Sequence, residues 1–112
     1  MNNSDEKEIA AREALRLRVQ VMKLAQEVLR GRVISYGALG KRCEPPISGY
    51  VCGRVMAQVL DDVPWWRVVG KDGNLPISKR GPGHSERQRE LLGEEGVEFD
   101  ENGRVLKSFF ED

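Results

Sequence analysis

The residues best equipped for chemistry or recognition lie in one stretch, Val63-Pro64-Trp65-Trp66-Arg67-Val68-Val69. It holds both tryptophans of the chain, between an acidic pair (Asp61, Asp62) and a loop containing Gly70 and Gly73. The proline pushes the residue before it out of helical geometry, so the stretch predicts an ordered, extended corner whose adjacent side chains point in roughly opposite directions. Two readings follow. Both indoles are core anchors, since each buries a large area; or one faces inward while the other forms an aromatic wall beside Arg67, suited to a flat ligand such as a nucleic-acid base.

Little else in the composition offers reactive groups. There are two cysteines, Cys43 and Cys52, with no CxxC pair, and a single histidine, His84. That set excludes an ordinary zinc site and a disulfide framework, so neither metal nor cofactor is expected. Cys52 falls among apolar residues of a predicted helix and reads as packing. The 18 basic and 18 acidic residues cancel, but they are not evenly spread. Arg30 to Arg54 carries five basic residues against one acidic, Trp66 to Glu90 six against three, and Leu91 to Asp112 two against seven. A positive middle suits phosphate binding.

At 112 residues the chain is one domain with a modest core. It has no apolar run long enough to span a membrane and no signal-peptide pattern, so a soluble, cytoplasmic protein without membrane partners is expected.

The elements that position these residues are mostly helices. Residues 1–11 read as a polar tail. Leu15, Val19, Met22, Leu24, Ala25, Val28 and Leu29 recur at helical spacing and predict an amphipathic helix from about Ala10 to Leu29, ended by Gly31. Ser35 is placed to cap a short helix through Ala38, Leu39 and Lys41, which Cys43-Glu44-Pro45-Pro46 must break. Ser48 caps a second helix through Val51, Val55, Met56, Val59 and Leu60, and the pair reads as a helix-turn-helix. Lys71-Asp72-Gly73-Asn74 is a turn, with Leu75-Pro76-Ile77 returning as a small hairpin or wing. Residues 78–83 form a basic loop, and a last helix starts at His84 or Ser85. Asp100-Glu101-Asn102-Gly103 closes a terminal hairpin, and the acidic end reads as a solvated tail. The expected organisation is a 1–11 tail, a 12–107 DNA-binding domain and a 108–112 acidic tail. The fold class is mainly α with small β hairpins.

From Gly31 to Val97 the chain resembles the DNA-binding domain of the O6-alkylguanine-DNA alkyltransferases. The motifs are Gly31-Arg-Val-Ile-Ser-Tyr36, Gly53-Arg-Val-Met56, Pro64-Trp-Trp-Arg-Val-Val69, Ile77-Ser-Lys-Arg80 and Arg87-Gln-x-x-Leu-Leu-x-Glu-Glu-Gly96, in the family's order. The resemblance implies a winged helix-turn-helix domain of the alkyltransferase type. In those enzymes the corner reads Pro-Cys-His-Arg-Val, and the cysteine accepts the alkyl group. Here Trp65 stands at the cysteine position and Trp66 at the histidine position, so the nucleophilic thiolate is missing. A tryptophan there is similar to the alkyltransferase-like proteins, which bind O6-alkylguanine in DNA without repairing it and pass the lesion to nucleotide excision repair. Many of them carry PWHR; this chain has PWWR.

By that resemblance no residue is catalytic. Tyr36 matches the tyrosine that helps rotate the target nucleotide out of the stack. The helix after Ser48 lies in the minor groove, where Gly49 and Gly53 permit close approach and Arg54 contacts phosphate. Tyr50 falls where the family has an intercalating arginine. Val63, Pro64, Trp65, Arg67, Ser78 and Arg80 line the alkylguanine pocket, Arg80 stacking over the base. Arg67 braces the corner through backbone hydrogen bonds, and Glu95, matching an acid of the enzymes' hydrogen-bond network, keeps a structural role at a helix end. The expected partners are double-stranded DNA containing O6-alkylguanine and nucleotide excision repair proteins, bound by a monomer. An active methyltransferase would need a pocket cysteine that is absent. A sequence-specific winged helix-turn-helix regulator, or a protein-interaction domain on an old DNA-binding scaffold, remains as an alternative.

Overall fold

The computed structural model describes residues 3–59, 62–75 and 83–112. Helix α1 spans Asn3–Gln26, and its inner row is Leu17, Val21 and Ala25, continued beyond its end by Val28; the last three are fully buried. Steps of four keep the helical row on one face. The helix starts well before Ala10, and of the apolar face read from sequence Met22, Leu24, Ala25 and Val28 lie in or against the core, while the Leu15–Val19 row is uncovered: Leu15 is 58% and Val19 56% exposed. Leu29, past the helix end, is exposed as well. Both rows repeat at helical spacing, and only the neighbouring elements decide which one is covered. Residues 4–16 are exposed throughout. Ala10, Ala11 and Ala14, acidic residues in the first turn and the Glu8–Arg12 pair at 2.8 Å sustain helix there without tertiary cover.

A left-handed residue at Gly31 (φ 82°) turns the chain into strand β1 (Ile34–Ser35) and helix α2 (Tyr36–Lys41). Helix α3 follows at Gly49–Met56. Both predicted caps form: Ser35 Oγ accepts from the Ala38 amide and Ser48 Oγ from the Val51 amide, each at 3.1 Å. They satisfy amides that a helix start leaves without partners. The linker into α3 passes close over α2 because Gly40 lacks a side chain; a Cβ there would sit 2.4 Å from the Ile47 carbonyl oxygen. Helix α3 ends at Met56, earlier than predicted, and Val59 is buried beyond its end; Leu60 lies outside the described residues.

The tryptophan corner is a single turn of 3₁₀ helix, Trp65–Arg67, closed by the Arg67 amide on the Pro64 carbonyl at 3.1 Å. The expectation of an extended corner with opposed side chains gives way here. The two indoles meet at right angles, 5.9 Å apart, because a tight turn rotates neighbours by about a third of a circle. Strand β2 (Val68–Val69) then pairs in parallel with β1, Ile34 opposite Val68. The pair is a crossover through α2 and α3 and not one of the expected hairpins.

Gly70 to Asn74 forms the predicted turn, with the Gly70 amide donating to the Asn74 carbonyl at 2.8 Å. The returning arm at Pro76-Ile77 lies outside the described residues. Helix α4 spans His84–Glu94. After it, Phe99 and Val105 form a single antiparallel bridge around the Asp100–Gly103 turn, as the terminal hairpin predicted. The closing residues are not a solvated tail. The Val33 amide donates to Phe109 and the Glu111 amide to Val33, at 2.9 and 2.7 Å. Asp112 accepts from the amide and hydroxyl of Ser35, and Arg32 donates to the Ser108 and Phe110 carbonyls. The acidic side chains find donors at a helix start and on a basic neighbour, so the end of the chain becomes a strap over β1. A second apolar cluster, including Val33, Val69 and Leu92, lies under it beside Phe99, Phe109 and Phe110.

Candidate nucleic-acid interface

The corner is held from behind by one carboxylate. Glu95, the C-cap residue of α4, has a side chain only 4% exposed. It accepts from Trp66 Nε1 at 2.7 Å, from Arg67 Nε and Nη2 at 2.9–3.2 Å, and from the Gly31 amide at 2.9 Å. Arg67 also donates to the Val28 carbonyl at 2.9 Å, tying α1's end to the corner. Burial alone would raise the Glu95 pKa, but hydrogen bonds from Arg67, Gly31 and Trp66, with the guanidinium charge, hold it below the usual carboxylate value. Gln88, buried on α4, donates to the Trp66 and Val68 carbonyls at 3.1 and 3.0 Å. The corner is thus fixed by side chains from a helix that follows it by about twenty residues.

In front of the corner is a pocket of about 200 Å³, whose lining includes Tyr36, Gly49, Gly53, Met56, Trp65 and His84. That is smaller than the ~300 Å³ at which drug-sized sites begin. Trp65 is 7% exposed and belongs both to the core and to the pocket wall, so the two sequence readings of the tryptophans merge in one residue. Its indole is stacked on the His84 imidazole, centroids 4.0 Å apart and planes 28° from parallel.

The residues singled out from sequence separate into groups. Tyr36, Gly49, Gly53 and Trp65 come together at the pocket. Tyr50 and Arg54, one turn apart on α3, are exposed outside it, with the guanidinium carbon 6.0 Å from the ring centre. Val63 is fully buried in the core and Arg67 is committed to Glu95, so neither lines the pocket. Pro64 is half-buried at the start of the 3₁₀ turn. Ser78 and Arg80 lie outside the described residues. Arg67 does brace the corner through a backbone carbonyl, and Glu95 does act at a helix end. His84 and Gln88 were not anticipated as site residues. For Gln88, a polar residue three and four positions before the apolar Leu91 and Leu92 was the available signal; His84 carried none.

The cysteines stand apart from the pocket. Cys43 and Cys52 are buried in the core that α2 and α3 share. Burial, with Cys43 nearby, pushes the Cys52 thiol up to about 12. Among the described residues no group of acidic, cysteine and histidine side chains is arranged to hold a metal ion, and no helix is long and apolar enough to cross a membrane.

The chain is similar to known proteins. A DNA base-flipping protein of Vibrio parahaemolyticus serotype O3:K6 is 26% identical over 89 residues, spanning 78% of this chain and 86% of that protein. The crystal structure of S. pombe Atl1 in complex with damaged DNA containing O6-carboxymethylguanine superposes with a TM-score of 0.72 at 25% identity, covering 85% of this chain and 94% of Atl1. S. pombe ATL in complex with DNA matches the fold with the same TM-score at 23% identity, over 87% and 95% of the two chains. Residues 16–97 match the model of the 6-O-methylguanine DNA methyltransferase DNA-binding domain, and the chain belongs to that family.

Proposed function

We propose that the protein is a non-enzymatic sensor of O6-alkylguanine in double-stranded DNA. The observation that carries this reading is the pocket itself: an indole, Trp65, forms its wall, and both thiols of the chain are buried elsewhere in their unreactive form. An indole stacks on a base and transfers nothing. Helix α3 enters the minor groove, Gly49 and Gly53 letting the backbone approach, while Tyr36 turns the nucleotide towards the pocket mouth. Tyr50 fills the gap left in the stack and Arg54 meets phosphate; both stand exposed on the same helix. Val63 and Pro64 support the wall from behind, and Ser78 and Arg80 complete the pocket.

The energetics suit a damaged base. Extruding a nucleotide costs a few kcal/mol, least where pairing is already weak, and stacking on an aromatic returns ~1–3 kcal/mol. O6-alkylation weakens pairing with cytosine, so the lesion flips at lower cost and gains the same contacts. The bound complex marks the site for nucleotide excision repair proteins in the cytoplasm, the protein acting as a monomer without cofactor. In this organisation residues 12–107 form the DNA-binding domain.

The test is a fluorescence-anisotropy titration of a duplex with one O6-methylguanine against its unmodified twin. The lesion duplex is expected to bind more tightly, with Trp65→Ala losing ~5-fold to 140-fold of that affinity, the range a lost stack implies. Equal binding of the two duplexes would overturn the lesion reading and leave a sequence-reading regulator.

A further inference from the structure

One face of Trp65, at the pocket, is already covered. His84 lies over it at 4.0 Å, its ring nearly parallel, and both residues line the same pocket. Stacked atoms rest ~3.5–4 Å apart, so a base sandwiched between the two rings would need them roughly 7–8 Å apart. No base enters between them as they stand. Nor is the second tryptophan a substitute, since Trp66 is perpendicular to Trp65 and tied to Glu95.

His84 is placed to move where Trp65 is not. Trp65 sits in a 3₁₀ turn pinned by Gln88 and by the Glu95–Arg67 pair. His84 is the first residue of α4 and is half-buried. It follows Gly83, which is exposed, left-handed (φ 78°) and has nothing within 4 Å of where a Cβ would be. A helix's first residue has half of its turn missing, so its side chain reorients without breaking a ladder hydrogen bond.

We propose that His84 is a displaceable cover for the recognition face of Trp65: the imidazole stacks there in the free protein and gives way to the extruded base. This rests on the base-flipping reading above and adds the residue that sets the threshold for entry. A base must outcompete an imidazole, with its smaller ring and smaller overlap, before it is held. Bases that pair well seldom leave the helix to compete, so the cover suppresses their brief excursions, while a weakly paired alkylated base is extruded often enough to displace it.

The experiment compares wild type, His84→Ala and His84→Phe on three duplexes: O6-methylguanine, its unmodified twin, and the same guanine in a mismatch. Removing the cover is expected to tighten lesion binding ~5-fold, the low end of a lost stacking competitor, with less than about twofold gained on the fully paired twin, which binds largely unflipped. His84→Phe, a better stacking ring, is expected to weaken lesion binding. These opposite signs separate a cover from damage to the fold, which would weaken binding in both variants. Weaker lesion binding by His84→Ala with unchanged near-ultraviolet circular dichroism would overturn the proposal, making His84 a wall of the pocket. Unchanged affinity in both variants would overturn it too. Should wild type bind the lesion and its twin equally, lesion recognition fails; a fivefold gain of His84→Ala on the mismatched guanine would still uphold the cover for any extruded base, and no gain there would end it.

Discussion

Replacing Glu95 with alanine should be the most damaging single change outside the apolar core. The carboxylate receives hydrogen bonds from Trp66, Arg67 and Gly31, and its removal leaves the Arg67 guanidinium, 14% exposed, without its counter-charge. Breaking a buried pair in this way costs about 3–5 kcal/mol. At ~2.1 cal/mol/K of unfolding entropy per residue, a 112-residue chain has ~0.24 kcal/mol/K, so each kcal/mol lowers Tm by ~4 °C and the expected drop is ~13–20 °C. The assay is thermal unfolding followed by tryptophan fluorescence, with urea unfolding to check that m is unchanged.

Glu95→Gln should also destabilise, because an amide has one acceptor oxygen and brings its own donors towards the Trp66 and Arg67 N–H groups. Replacing both partners, Glu95→Gln with Arg67→Met, should recover part of the loss, since no buried charge is left unpaired. The pH dependence has a definite sign. The folded carboxylate's pKa is depressed below its unfolded value, so its contribution is fully present above the unfolded value of ~4.3. It is lost as pH falls through the folded value. The gap in stability between wild type and Glu95→Gln should be constant from pH 6 to 8 and shrink below about pH 4. A Tm drop of less than ~4 °C for Glu95→Ala, about 1 kcal/mol, would refute this account of the corner.

Other consequences are simpler to state. Arg54→Ala should weaken binding to lesion and plain duplexes alike and reduce the slope of log affinity against log salt by about one, as loss of one phosphate contact does; an unchanged slope would remove Arg54 from the interface. Gly40→Ala should destabilise by about 1–3 kcal/mol in urea unfolding, because its methyl meets the Ile47 carbonyl at 2.4 Å, whereas a neutral result would mean that the linker at Ile47 gives way easily. Cys52, buried and pushed up to about 12, should resist a thiol reagent at pH 8 in the folded protein and react once urea is added; ready labelling of the native protein would contradict its burial.

What could be read from sequence was local. Ser35 and Ser48 each cap the helix that directly follows, and such bonds span three residues, so the residue type and its neighbours suffice. The family resemblance assigns Tyr36 and Gly53 to DNA contact and Trp65 to a pocket, and the structure gathers all three around one pocket. What failed was long-range or rotational. The β1–β2 pair joins two-residue strands 34 positions apart, too short to show a period of two. In α1 the core takes Ala25 from the apolar face read in sequence but Leu17–Val21 in place of Leu15–Val19, because both pairs repeat equally well and only contact with α2 and α3 decides between them. Acidic residues near the end of the chain look alike as solvated charges or as acceptors; the Ser35 amide, 77 residues earlier, distinguishes them. The Trp65–His84 stack has no sequence signature, since it depends on where α4 begins after a segment that sequence reads only as a loop.

Recognition without transfer leaves both protein and DNA covalently unchanged, which intact mass spectrometry reads. The protein would be incubated with an excess of O6-methylguanine duplex under conditions where anisotropy reports saturation, and both components would then be weighed. The protein should keep its mass and the DNA its methyl group, with binding tighter than to the unmodified twin. A protein heavier by one methyl group, with the matching loss from the DNA, would contradict recognition without transfer and return the chain to the enzymes of its family.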